Sequence, residues 1–292
     1  MRQRRGAATG GHPRRPGRLR QTLRDLLRVV GFAVGYVPSA VIPSRFDPWL
    51  IDRLTQLAVW LRPGKVERLA SRMAKTLEFR GSGRDLTESA LAQYQMTLEG
   101  AWARVRNLHA RGWKPETIVE GLERLRKAQA AGAGTILWRM SFGSTLVAKI
   151  GFWRAGVPLV HLSNERHGAL SDAWVARHFF CPLYRQTEKR YLRERVVIPW
   201  DGSTVGIMKT LLQRLNGDNA VASIIGDQRG TQNIATPFFD AQAQFAVRSP
   251  SLAWKAGSVL LPCTPFGRAR AGTASSSTNP SAWIGSSTAR ST

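Results

Sequence analysis

AGAGTILWRMSFGSTLVAKIGFWRAGVPLVHLS, residues 131–163, is the stretch whose reading decides the fold. Thr135, Ile136, Leu137, Trp138 and Met140 make a short β-branched and apolar run bounded by Gly132 and Gly134, which suits a buried strand. Ser141-Phe142-Gly143-Ser144 then forms a small-residue turn. Leu146, Ile150 and Trp153 follow at i, i+4, i+7 with Val147 beside them, the spacing of a helix face lying on a sheet. Gly156-Val157-Pro158 ends that helix, and Leu159-Val160-His161 begins a second apolar run. The order strand, turn, helix, strand predicts a parallel crossover, whose first turn lies at the carboxyl end of a strand, where open α/β sheets bind ligands. The expected fold class is α/β: a mostly parallel central sheet flanked by helices, with an N-terminal helical, membrane-associating region before it.

Downstream, the same alternation continues. Leu162 to Gly168 is a polar turn after the second strand, Trp174, His178 and Phe179 sit on a helix, and Arg195-Val196-Val197-Ile198-Pro199 reads as a third strand. Ile207, Met208, Leu211, Leu212 and Leu215 make an amphipathic helix ending at Asn216-Gly217. Ala220 to Ile225 is a fourth strand, with Gly226 to Gly230 as its exit loop. Ser249-Pro250 starts a helix that Gly257 ends, and Val259-Leu260-Leu261-Pro262 is a fifth strand. Beyond Pro262 neither period survives, so residues 263–292 are expected to be disordered, as after a truncation or a frame shift.

Upstream, residues 1–22 read as a disordered tail rich in arginine, glycine and proline, and residues 23–112 as a helical, membrane-associating region. Val29 to Val37 is apolar, but Arg28 begins it and Pro38 and Pro43 end it, whereas a span needs about 20 residues. An interfacial helix is the expectation, followed by a second from Asp47-Pro48 with Trp49, Leu50, Leu54, Leu57, Ala58 and Leu61 along one side. Further helical periodicity runs from Val66 to Arg111 with a break at Gly81-Ser82-Gly83. Pro115-Glu116 is expected to open another helix, with Ile118, Leu122 and Leu125 on its face, which leads into the α/β domain of residues 113–262.

The 292 residues carry a formal charge of +24, a value that implies an anionic partner. Anionic membrane lipids fit the arginine tail above two apolar helices. Nucleic acid is the weaker reading, because no aromatics interleave with the arginines and no reading helix is recognisable. Cys181 and Cys263 are far apart and suggest neither a disulfide framework nor a thiol metal site.

From about Val119 to Pro262 the chain resembles the late lipid A acyltransferase branch of the lysophospholipid acyltransferase family. The pieces that carry the resemblance are Gly132 to Leu137, Phe142-Gly143, Gly156 to Val160, Ile225-Gly226-Asp227-Gln228, Pro237-Phe238-Phe239, and Ala253 to Gly257 leading to Leu261-Pro262. The resemblance implies a protein at the cytoplasmic face of an inner membrane. It would move a fatty acyl group from an acyl-carrier-protein or coenzyme A thioester, as co-substrate, to a lysophospholipid or glycolipid hydroxyl, with no cofactor or metal. The family's turn carries a histidine and, after four intervening residues, an acidic residue; this chain has Ser141 and Leu146 at those places. The family's arginine after the second strand has only Arg166 as a near neighbour.

The residues therefore need a reading of their own. Serine is no general base near neutral pH, and leucine cannot orient one. Strand exits that converge would bring Ser141, His161 or His167, and Asp227 to one crevice, a set sufficient for nucleophilic acyl transfer. Alternatively, His167 with Asp172 repeats the lost spacing one loop later. Phe142, Gly143, Ser144, Arg166, Gln228 and Arg229 are the candidate substrate-binding residues, the amides from Gly143 to Thr145 being placed to hold a phosphate or an oxyanion at a helix start. The alternative function is a non-catalytic lipid-binding relative that keeps the crevice without the chemistry.

Overall fold

The computed structural model describes residues 18–77, 83–109, 113–140, 144–165, 174–199, 204–226, 233–238, 241–269 and 278–284. Within them the chain forms α1 (Arg18–Val41), α2 (Asp47–Leu61), α3 (Gly64–Leu77) and α4 (Gly83–Arg106). β1 (Ile118–Glu120), α5 (Leu122–Ala130), β2 (Thr135–Arg139), α6 (Thr145–Arg154) and β3 (Leu159–Asn164) come next. A π-helical turn, Ala176–Phe180, runs into α7 (Cys181–Lys189), followed by β4 (Leu192–Ile198), α8 (Val205–Gly217) and β5 (Val221–Ile225). The chain then makes β6 (Asn233–Phe238), β7 (Ala241–Ala246), α9 (Arg248–Ala256), β8 (Val259–Ala269) and β9 (Thr278–Ile284).

All five strands expected from the sequence lie in one sheet and run parallel, in the order β8-β2-β5-β3-β4. β2 and β3, consecutive in the pattern, are separated by β5, which pairs with both. Their side chains alternate between two apolar layers. Leu137, Leu159, Leu192, Val221 and Leu261 meet Leu125 of α5 and Phe152 of α6 on one face. Ile136, Val160, Val196, Ala222 and Ile224 meet Leu211 and Leu215 of α8 and Leu252 and Ala253 of α9 on the other. Burial on both faces is why these strands read as continuous apolar runs.

The bracketing glycine has a steric reason. A Cβ on Gly134 would overlap the Leu215 carbonyl at the end of α8, so only glycine admits that approach at the start of β2. At the other end of the domain, Gly257 takes a left-handed conformation, φ 59°, and closes α9 as expected.

Several boundaries differ from the sequence reading. Pro115-Glu116 does not open a helix: the β-branched Ile118 and Val119 form β1, and Gly121 at φ 76° turns the chain before α5 starts at Leu122. Pro38 does not end the first helix, which begins at Arg18 and continues through the proline to Val41. Strand β8 continues past Pro262 to Ala269, and β9 pairs antiparallel with it, where the sequence shows neither period. Strands β6 and β7 form a separate antiparallel pair.

Ahead of the sheet, α1, α2 and α3 all pack on α4. Arg106 near the end of α4 pairs with Asp47 at the start of α2 and donates to the Ser39 carbonyl of α1, all three residues being buried. Asn107 then joins this helical layer to the sheet. Its Nδ2 donates to the Thr187 carbonyl at 2.7 Å, and its Oδ1 accepts from the Tyr191 hydroxyl at 2.7 Å.

Candidate functional site

The exits of β2 and β5 lie side by side, flanked by β8, which continues past them to Ala269. Arg139 of β2 is level with Ile225 of β5 and Cys263 of β8; the Gly226 amide donates to the Arg139 carbonyl at 2.8 Å, and the Met140 amide to the Cys263 carbonyl at 3.0 Å. This is the crevice position expected for a parallel sheet. A Cβ on Gly226 would collide with the Trp138 indole, so the β5 exit is packed directly on β2.

Helix α6 starts at this edge. The Ser144 hydroxyl accepts from the Val147 amide at 3.5 Å, a long N-terminal cap, and Arg139 Nη1 donates to the Thr145 carbonyl at 3.1 Å, tying the first turn of the helix to the end of β2. Leu146, which stands where the resembled family has its acidic residue, is fully buried and packs with Ile150 and Tyr191. It is a core residue.

On the α6 side of the sheet, the surface changes from apolar to polar toward the carboxyl ends. Arg139, His161, Ser163, Ser223 and Cys263 are all buried there. His161 lies mid-strand in β3, level with Ser223 of β5 and Arg195 of β4, and its Nδ1 is 3.2 Å from the Ser223 carbonyl. Arg195 Nη2 donates to Ser163 Oγ at 2.8 Å and to the Asn164 carbonyl at 2.9 Å. Burial lowers the pKa of Arg195 and raises that of the Cys263 thiol to about 11, so Cys263 is no nucleophile near neutral pH.

Behind these groups stands Lys149, from the middle of α6, paired with Glu188 of α7, both closed off from water. Burial brings the Lys149 pKa down to about 8; the Glu188 carboxylate raises it, and Arg139 and Arg195 lower it further. The pKa of the buried Tyr191 hydroxyl is raised by burial as well.

Of the residues singled out from sequence, the structure describes Ser144 and His161. Ser144 sits at the α6 start as expected. His161 is sealed into the strand interior instead of lining an exit. Ser141, Phe142, Gly143, Arg166, His167, Asp227, Gln228 and Arg229 lie outside the described residues. The sequence reading missed Arg139, Lys149, Glu188 and Arg195. Two of these carry a legible signal: Arg139 interrupts an apolar strand, and Lys149 stands among Leu146, Val147, Ala148, Ile150 and Phe152, where a charge needs a buried partner. Glu188 has no such mark. Among the described residues no three histidine, cysteine, aspartate or glutamate side chains gather as a metal site.

A scan against family models and a search of curated proteins find no match to this chain.

Proposed function

We propose that this protein lies on an anionic membrane surface and transfers a fatty acyl group from a thioester to a lysophospholipid or glycolipid hydroxyl. The observation that carries the membrane part is the uncovered side of α1 and α2. Leu23, Leu27, Val30, Val34, Val37 and Val41 recur at three- and four-residue steps along α1, and all are exposed. The opposite side, with Asp25, Gly35 and Ser39, is buried or packs on α4 through Trp102 and Val105. Helix α2 adds Trp49, Leu57, Trp60 and Leu61, also exposed. A continuous apolar stripe along a whole helix, left open to solvent, marks an interaction surface. Arginines such as Arg24 and Arg28 on the same helix, with tryptophans on its neighbour, suit a headgroup interface. No helix among the described residues is long and apolar enough to cross a membrane, so these would lie along it.

The acyl-transfer part rests on the resemblance to late lipid A acyltransferases, together with a parallel sheet whose exits adjoin the start of α6. A non-catalytic lipid-binding protein is the second reading. It is favoured by the burial of His161 away from the strand exits and by Leu146, a core residue in the place of an orienting carboxylate. The test is thiol release from a long-chain acyl-coenzyme A or acyl-carrier-protein thioester by the full chain on phosphatidylglycerol vesicles containing lysophospholipid. Lysolipid-dependent release that His167→Ala abolishes is the expected result. Vesicle binding without release from either thioester would overturn the acyl-transfer reading in favour of the second.

A further inference from the structure

We infer that the Arg195 guanidinium is an anion-binding group at the carboxyl ends of β3 and β4, and that its ligand is a phosphate ester. The inference deepens the acyl-transfer reading above, from which it takes the phosphate, since lysophospholipids and coenzyme A both carry one.

Arg195 starts from the middle of β4, level with His161 of β3. Its side chain runs toward the carboxyl end of the sheet. Nη2 donates to the carbonyl of Asn164 at 2.9 Å, and Asn164 is the last residue of β3, level with Ile198 at the end of β4. The same nitrogen donates to Ser163 Oγ at 2.8 Å, so two bonds fix the planar group. The guanidinium therefore stands at the exit of two neighbouring parallel strands, where open parallel sheets take ligands.

These bonds leave donors over. Both use Nη2 and both end on neutral oxygens, while Nε and Nη1 meet no acceptor among the described residues. Nε is buried, and a buried charged donor left without an acceptor is costly. Among the described residues no carboxylate forms an ion pair with Arg195 either: Glu188, the acid whose charge acts on it, is held by Lys149. Arg185 acts on Arg195 with the opposite sign, and Arg139 on Lys149. A half-buried cation, held in place by neutral oxygens and set among further cations, is a fixed positive field that attracts an anion.

Phosphate is the anion that fits. It offers more acceptor oxygens and more charge than a carboxylate, and it meets the remaining guanidinium donors with charge-assisted hydrogen bonds. Held there, the phosphate of a lysolipid or of coenzyme A would fix one end of a substrate beside the crevice.

The test uses the full chain, potassium phosphate as the probe and potassium acetate at equal ionic strength as the control. Thermal unfolding midpoints are followed against anion concentration for wild type, Arg195→Gln, Arg195→Lys and Arg193→Gln. Arg193 is an exposed arginine two residues away, paired with Asp218. Phosphate should stabilise wild type, and Arg195→Gln should raise the concentration needed at least about 10-fold, with Arg195→Lys between the two and Arg193→Gln unchanged. Should Arg195→Gln not fold, wild type with isotope-labelled arginine gives the second reading. The Arg195 Nε–H resonance, assigned by its loss in Arg195→Lys, should move with phosphate and stay with acetate. Glycerophosphate and coenzyme A then replace the probe, and the tighter of them identifies acceptor or donor as the source of the phosphate. An Arg195 resonance that phosphate leaves in place, or Arg195 variants that respond to phosphate as wild type does, overturns the inference. Neither vesicles nor thioester enter this test, so the phosphate site can fail while lysolipid-dependent thiol release stands, and the reverse.

Discussion

The Lys149 ammonium and the Glu188 carboxylate form an ion pair shut away from water, joining the middle of α6 to the last turn of α7. Desolvating two charges costs several kcal/mol, which their attraction offsets only with good geometry. Removing one partner with Lys149→Met takes from the buried Glu188 carboxylate its ion-pair partner and should leave the fold less stable than replacing both does. Replacing both, as Lys149→Met/Glu188→Leu, should cost far less and can raise stability by about 1–4 kcal/mol. Urea unfolding of the three proteins gives the comparison.

The same pair sets a pH dependence. Lys149 ionises at about 8 in the fold against about 10.5 in an unfolded chain. Between those values the unfolded chain binds more protons, so this group makes stability rise with pH. Its contribution is complete above about 10.5 and gone below about 8. Wild type should therefore gain stability relative to Lys149→Met/Glu188→Leu as pH is raised from 8 to 10, read as the difference between their urea midpoints at each pH.

At the other end of β2, Gly134→Ala should cost about 2–3 kcal/mol, since the added methyl group meets the backbone of Leu215, which has no rotamer with which to yield. Gly132 lies two residues away with φ 72° but open space around it, so Gly132→Ala should lose less, from backbone strain alone. Urea midpoints separate the two, and an equal loss at both positions would contradict the steric account.

Arg106 fastens α1 and α2 to α4 through Asp47 and the Ser39 carbonyl. Arg106→Met leaves Asp47 buried without this partner and should raise amide exchange throughout α1 and α2 while β2 and β5 stay protected. Hydrogen-exchange mass spectrometry reads this directly. Faster exchange in the sheet as well would mean that the helical layer and the sheet open together.

The parallel core was legible because burial on both faces leaves continuous apolar runs, and glycine marks their ends; Thr135–Arg139 and Val221–Ile225 are examples. What escaped was whatever depends on pairing across the fold. Ile118-Val119 is too short to separate strand from helix by period, and only β9, more than 150 residues later, gives β1 a partner. His161 looked like a strand-end residue because the polar turn seemed to follow it, but β3 continues three residues further through the polar Ser163 and Asn164. Glu188 sits among the charged residues of α7, and nothing local distinguishes a carboxylate that will be buried against Lys149 from its solvated neighbours. Ser141, His167 and Asp227, on which the chemical reading rests, lie outside the described residues, so the site itself is carried by sequence alone.

The central claim is that the uncovered side of α1 and α2 meets lipid. Flotation of the full chain with vesicles of phosphatidylglycerol, and with vesicles of phosphatidylcholine alone, tests it most directly. The account predicts strong binding to the anionic vesicles, weaker binding to the neutral ones, and loss of at least about 10-fold with Leu27→Glu/Val34→Glu in a protein whose circular dichroism is unchanged. Equal recovery of wild type and variant at the top of the gradient, or wild type left at the bottom with both lipids, would contradict it.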